Sequence, residues 1–450
     1  MPEPAAVMWF RRDLRLGDNP ALAAAAQAGP VLALFVVDPA LWEPAGPARR
    51  AYLARSLAAL DAELRDRGGR LVLRRGDPAE VLPRVAAEVG AGSVHVAGDF
   101  GPYGRRRDEH VEQALASSGV ALERTGSPYA VPPGEVVTGK GTGYQVFTPF
   151  FRAWAEHGWQ PPVSEPTVSW LDLPGDPLPQ AAVPDGMRLP QAGEHAALSA
   201  WREFLDRVGE YDESRDRPVE ETSHMSVPLK WGEIHPRTML ADLATGGPGA
   251  ASYCRQLAWR EFFADVLWHR PETAREYLRP GFAAMTYDAP GEAFRAWTEG
   301  RTGFPIVDGG MRQLRATGWM HNRVRMVAAS FLVKDLHVEW QHGARHFMRW
   351  LVDADLASNQ HNWQWVAGCG ADAAPYFRVF NPTAQGHRFD PAGDYVRAWV
   401  PELRGLDAKH VHEPVRAPGG PPDGYPAPIV DHGAERREAL TRLHEIRKRA

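Results

Sequence analysis

Through the first 125 residues, short β-branched runs alternate with amphipathic stretches, and this rhythm constrains the fold more than any other feature of the sequence. Val7–Phe10, Val31–Val37, Leu71–Arg74 and Val94–Ala97 read as strands, and 48–67, 78–89 and 104–118 as the helices between them. Consecutive parallel strands need a crossover, and helical crossovers cover the sheet, so residues 1–125 are expected to form a doubly wound parallel α/β domain with a ligand crevice at the strand C-termini. No GxGxxG follows the first strand, which argues against an ordinary dinucleotide site there. Residues 126–195 change character: Ser127-Pro128, Pro132-Pro133, Pro161-Pro162 and Pro174–Pro179 predict a long interdomain linker wrapping over the surface. From Glu194 the pattern turns helical. Val324, Val327, Ala328, Phe331 and Leu332 form one stripe, predicting a helix over roughly 309–337 within an all-helical domain spanning 196–450.

Composition agrees with two soluble domains: 450 residues, 44% apolar and 24% charged. The longest apolar run, Val31–Val37, is strand-sized, and Arg11 and Arg12 interrupt the N-terminus early, so neither a membrane span nor a signal peptide is expected. A cytoplasmic monomer is the expectation. Two distant cysteines, Cys254 and Cys369, suit a reducing compartment, read as packing residues, and predict no metal site.

A net charge of −5 alone would argue against nucleic acid as a partner. Its distribution argues otherwise. Between Arg301 and Arg349 eight Lys/Arg face three Asp/Glu, and eight of the sixteen tryptophans fall between Trp259 and Trp365. Indole beside guanidinium in one region suits stacking on bases or on a flat cofactor, although a solvated helix face has the same composition.

Four constellations carry chemistry. Thr222-Ser223-His224-Met225-Ser226 packs three hydroxyls into five residues, suited to phosphate but equally to a turn or helix cap. Gln256, Trp259 and Phe263 share a helical face, an amide and an indole where a base edge and a base plane can be met. Asn322, Arg325 and Met326 lie opposite the Val324 stripe, an amide, a cation and a thioether suited to a flat heteroaromatic ligand. In Asp353-Ala354-Asp355 the two carboxylates lack the further oxygen ligands Mg or Ca would need, and fit better as acceptors for a cofactor; Asn359 and Trp363 follow, one helical turn apart.

These motifs, with WFRRDLRLGDNPAL near the N-terminus and FRVFNPTAQGHRFD near the end, resemble the photolyase and cryptochrome flavoproteins in order and spacing over nearly the whole chain, and specifically class I photolyases for cyclobutane pyrimidine dimers. The resemblance implies an antenna-binding α/β domain, a linker and a helical domain enclosing a folded FAD. It implies that Tyr211 and Thr222, Ser223, His224, Met225 and Ser226 contact the FAD phosphates and ribitol. Arg325 and Asp353 should pair beside the isoalloxazine, with Ala354 and Asp355 also at the cofactor, and Asn359 should face flavin N5. UV-damaged DNA is the implied partner. The resemblance implies that the lesion is flipped into a pocket where Trp259 and Trp365 would pack on it while Gln256, Asn322 and Met326 would meet its polar edges. Arg215, Arg260 and Arg323 match positions that hold phosphates or the pocket mouth. Photoreduction is expected to run through Trp363 and Trp340 to Tyr287, which stands where the family places a third tryptophan.

Three departures bear on this reading. His224 replaces the usual arginine of the pentad. Gln256 replaces the usual glutamate of dimer-specific members and is more typical of (6-4) photolyases. The third is Tyr287. A second chromophore is implied by Ala97–Asp108, which resembles the antenna stretch of members that bind 8-hydroxy-5-deazaflavin, with Gly101 where they carry glutamate; methenyltetrahydrofolate is the alternative. The rival functions are a cryptochrome-type photoreceptor, opposed by Asn359 and a short C-terminal tail, a (6-4) photolyase, and an electron-transfer flavoprotein, which leaves the Trp-rich half unexplained.

Overall fold

The computed structural model describes residues 4–220, 222–372 and 378–449. Strands β1 (Ala5–Phe10), β2 (Val31–Val37), β3 (Val72–Arg75), β4 (Ala91–Val96) and β5 (Ala121–Arg124) form one parallel sheet in the order β3-β2-β1-β4-β5. β1 and β2 are buried along their whole length, as continuous apolar runs covered on both faces must be. Helices Pro47–Asp66, Pro78–Val89 and Pro102–Ala116 fall where the amphipathic stretches predicted them. The strand order reverses between β1 and β4, which fixes the crevice beyond their C-termini.

The remainder is helical, in the predicted order of an α/β domain followed by an all-α domain. Two local expectations are corrected. The 126–195 segment is not only a surface linker: it contains helix Phe147–His157, whose Phe147, Phe150 and Trp154 are buried in the helical core against Phe262. Its proline-rich remainder does wrap, since Ser169 and Leu171 hydrogen-bond to either side of Val31 on the sheet. The expected single helix over 309–337 is two, Pro305–Thr317 and Asn322–Lys334. Gly318 takes a left-handed conformation (φ 68°) that ends the first, and the His321 side chain accepts the Arg323 N–H to start the second.

Buried polar contacts bind the halves together. Glu233 accepts from the Tyr52 and Ser56 hydroxyls at 2.7 and 2.6 Å, Asp18 pairs with Arg237 at 2.6 Å, and Arg12, just beyond β1, pairs with Asp355 at 2.7 Å. Cys369 is buried and Cys254 half-buried, both as free thiols. Among the described residues no helix is long and apolar enough to cross a membrane. Phe377, the first residue of the FRVFNPTAQGHRFD motif, lies outside the described residues.

Candidate functional site

The helical half encloses a cavity of about 470 Å³, within the range of small-molecule sites. The motifs converge on it. Its lining includes Tyr211, Arg215, Thr222 through Ser226, Gln256, Trp259, Arg260, Asn322, Arg323, Arg325, Met326, Asp353, Asp355 and Trp365.

Local structure explains each placement. The pentad is a turn: His224 holds a left-handed backbone (φ 54°), and the Ser223 hydroxyl accepts the Met225 N–H while sharing a 2.7 Å hydrogen bond with Tyr253. On helix Pro248–His269, Gln256, Trp259, Arg260 and Phe263 recur at three- and four-residue spacing and so face one direction. Behind Trp259 lies Phe147, stacked face to face at 3.8 Å and 8°. Across the cavity, Asn322 and Met326 sit one turn apart, with the amide nitrogen 3.9 Å from the Met326 sulfur. Arg325 donates to Asp353 at 2.8 Å, the expected pair.

Charge is concentrated at the cavity floor. Burial alone would raise the Asp355 carboxyl, but Arg12, Lys230 and Arg260 outweigh it and hold the group well below the usual carboxylate range. Burial, reinforced by Arg12, pushes the Lys230 ammonium down to about 7. Burial pushes His321 down to about 4, so it is neutral at physiological pH. One oxygen of Asp353 is bound to Arg325, and the other is buried without a hydrogen-bond partner among the described residues. An orphaned acceptor beside a cation, with hydroxyls and indoles around it, fits a large polar heteroaromatic cofactor such as FAD.

Other predicted residues lie elsewhere. On helix Leu356–Ala367, Ser358, Asn362 and Trp365 continue the stripe begun by Asp355 and line the cavity. Asn359 and Trp363 point around the helix from that stripe, and neither they nor Ala354 belong to the lining. The Asn359 amide donates to the Ala344 carbonyl at 3.2 Å and to Gln360 at 2.8 Å. Trp363 packs into the core on Phe347 and against Gly343, where an added Cβ would lie 2.1 Å from its ring. Gly343 is one turn from the fully buried Trp340. Tyr277 meets Trp340 edge to face at 6.0 Å and donates to Glu339 at 2.7 Å, and Tyr287 interacts with the Tyr277 hydroxyl. Arg260, which shares the cavity-facing stripe with Gln256 and Trp259, also donates to the Pro128 and Leu229 carbonyls at 3.0 and 3.2 Å. Arg323 lines the cavity as well, paired with Asp216 at 2.8 Å.

Sequence reasoning missed Arg12, Lys230, Tyr253, Trp319 and Tyr277. Lys230 stands one turn beyond Ser226 on a short helix, a spacing from which its approach was readable. Arg12 is 343 residues from Asp355, and no local pattern joins them. His321 also lines the cavity, because it precedes the helix as its cap.

At the sheet crevice, the predicted antenna stretch leads into helix Pro102–Ala116 with Gly101 as its N-cap. Arg11 pairs with Asp108 at 2.6 Å, and Arg107 lies 5.0 Å from the centre of the Trp9 ring. Tyr103 donates to Asp38.

The profile described as the FAD binding domain of DNA photolyase matches residues 253–445, and that described as DNA photolyase matches residues 6–167. A deoxyribodipyrimidine photo-lyase of Streptomyces griseus is 44% identical over 440 residues, covering 95% of this chain and 96% of the relative. A crystal structure of a bacterial class III photolyase from Agrobacterium tumefaciens superposes with a TM-score of 0.94 at 37% identity, covering 100% of this chain and 98% of that one. An archaeal photolyase from Sulfolobus tokodaii, with two FAD molecules, gives 0.85 at 28% identity, covering 98% and 100%.

Proposed function

The chain belongs to the DNA photolyase family, and from that premise we propose that it repairs cyclobutane pyrimidine dimers in DNA by light-driven electron transfer within the cavity of its helical half. The observation that carries this reading is the convergence of Trp259, Trp365, Gln256, Asn322 and Met326 on the cavity that also holds the Arg325–Asp353 pair.

FAD, when bound, supplies the excited electron that opens the cyclobutane ring and receives it back, leaving no net redox change. The chain holds and screens it. Tyr211 and Thr222 through Ser226 present hydroxyls and backbone N–H groups to its phosphates and ribitol. Arg325 and Lys230 supply positive charge, and the free oxygen of Asp353 accepts a ring or ribose donor. Asp355 pairs with Arg12 and offsets the charge of Lys230, and Asn359 stands one layer behind as a neutral amide tied to Ala344. Trp363, Trp340 and the Tyr277–Tyr287 pair are the aromatic residues that would relay an electron toward a bound flavin.

The lesion enters flipped out of the duplex, at a cost of a few kcal/mol that is lower because it already stacks poorly. Trp259 and Trp365 pack on it, and Gln256, whose amide donates to the Ser252 carbonyl at 3.3 Å, keeps its oxygen for the pyrimidine N–H edge. Arg215 and Arg323, both in the cavity lining, are the side chains for backbone phosphates. Repair of (6-4) products needs a histidine acid in the pocket. Asn322 occupies the matching position, and His321, though present in the wall, is neutral with one ring nitrogen engaged by the Arg323 N–H. Dimer repair therefore fits better despite Gln256.

The β1/β4 crevice is the place for a second chromophore. An 8-hydroxy-5-deazaflavin is our first choice and methenyltetrahydrofolate the second, and the second FAD of the Sulfolobus tokodaii photolyase adds a flavin to the reconstitution trial. Chemically reduced protein, mixed with an oligonucleotide carrying a thymine dimer, should restore the undamaged strand under blue light and not in the dark. A protein that is only a photoreceptor would leave the lesion intact in both.

A further inference from the structure

Two tryptophans wall the cavity from different parts of the chain, Trp259 on helix Pro248–His269 and Trp365 on helix Leu356–Ala367. One residue outside the cavity lining reaches both. The backbone carbonyl of Asp372 accepts the Trp365 indole N–H at 3.1 Å. Its carboxylate accepts the backbone N–H of Phe147 at 3.0 Å, and Phe147 is the ring stacked on the back of Trp259 at 3.8 Å. Its own N–H donates to the Gln145 carbonyl at 2.9 Å, so three hydrogen bonds close one bridge.

Two features single this bridge out. Val146, which caps helix Phe147–His157, makes no side-chain capping bond, so the first N–H of the helix is satisfied by Asp372 from 225 residues away. Asp372 also holds a left-handed backbone (φ 51°), tolerated by Asp, Asn and Gly and strained for most other residues. That turn points its carboxylate to one tryptophan wall while its carbonyl faces the other.

We infer that Asp372 is a positioning residue that sets the spacing of the two indoles and so the discrimination between damaged and intact DNA, an inference that rests on the lesion-pocket reading above. It touches neither lesion nor cofactor. The backbone bond to Trp365 depends on the turn, and the bond to Phe147 on the carboxylate, so the two arms separate by substitution. Asp372→Asn keeps the turn and an acceptor oxygen. Asp372→Gly keeps the turn and removes the acceptor. Asp372→Ala strains the first and removes the second.

The test measures the affinity of the flavin-loaded full chain for matched duplexes with and without one thymine dimer, at one salt concentration, alongside flavin content. Wild-type protein should prefer the dimer. Asp372→Gly should lower the ratio of the two affinities by roughly five- to tenfold, the scale of a lost cap and a misplaced stacking platform. Asp372→Ala should lower it at least as far. Asp372→Asn should stay within about twofold of wild type, and binding to intact duplex should stay within about twofold in all three, since phosphate contacts are untouched. A wild-type ratio in Asp372→Gly, or an Asn variant as impaired as Gly, overturns the inference. So does loss of flavin together with both affinities in Asp372→Gly, which would make the residue a general support of the fold. A wild-type protein without any preference would instead sink the lesion-pocket reading itself.

Discussion

Arg12 and Asp355 join the α/β domain to the cavity floor, and cutting that tie should be visible in stability. At 2.7 Å, with an effective dielectric of 20, their attraction is about 6 kcal/mol before desolvation is counted. The Arg12 side chain is 27% exposed and Asp355 10%, so water screens the pair on one side and removal from water offsets much of the rest. Lys230 and Arg260 also share the carboxylate. A net coupling of about 2 kcal/mol remains. Arg12→Met keeps the aliphatic stem, and Asp355→Asn keeps the cap on the Ser358 N–H, which Asn serves as well as Asp. For a chain of this size each single change should lower Tm by about 2–3 °C. The double variant should melt no lower than the worse single, because the second change removes a partner already unpaired. Calorimetry on flavin-free protein measures this. Single-variant losses that simply add would show that the two charges do not interact as their geometry requires.

Other outcomes follow from the same cavity. Trp259→Ala should lower affinity for dimer-bearing DNA by about tenfold or more, the scale of one stacked base, with little change on intact duplex, whereas Arg323→Ala should weaken both alike; equal proportional losses would refute the division of roles. Tyr277→Phe should slow photoreduction more than Tyr287→Phe, because Tyr277 meets Trp340 and has Glu339 to take its proton, and transient absorption would detect the reverse order. Lys230, pushed down to about 7, gives a pH effect. The unfolded chain binds its proton up to about pH 10 and the folded flavin-free protein only to about 7, so this group's contribution to stability falls as pH drops through that window. Lys230→Met should flatten the dependence of Tm between pH 6.5 and 9, and an unchanged slope would contradict the assignment (about one lysine's worth).

The α/β half was legible because strand and helix periods differ and β1 and β2 are apolar throughout. β5 was missed because it is an edge strand with little buried surface and no apolar run. Helix Pro20–Ala28 was missed because its alanines carry almost no amphipathic pattern, although Asn19 caps it through the Leu22 N–H. Proline misled in the linker: at the end of an extended stretch it reads as a breaker, and the aromatic face of Phe147–His157 was overlooked among its neighbours. Helical spacing grouped Asn322 with Met326 and Gln256 with Trp259, as they stand in the cavity lining, and the motif resemblance then supplied Tyr211, Arg215 and Arg323. Contacts made across the chain, such as Arg12 with Asp355 and Phe147 with Trp259, have no local signature.

The lesion that the cavity accepts decides what this protein repairs. Fully reduced protein should be offered matched oligonucleotides, one carrying a cyclobutane thymine dimer and the other a (6-4) product, under identical blue light. The cyclobutane dimer should be restored to thymines and the (6-4) product left unchanged; repair of the (6-4) product alone would rule out cyclobutane dimers as the substrate.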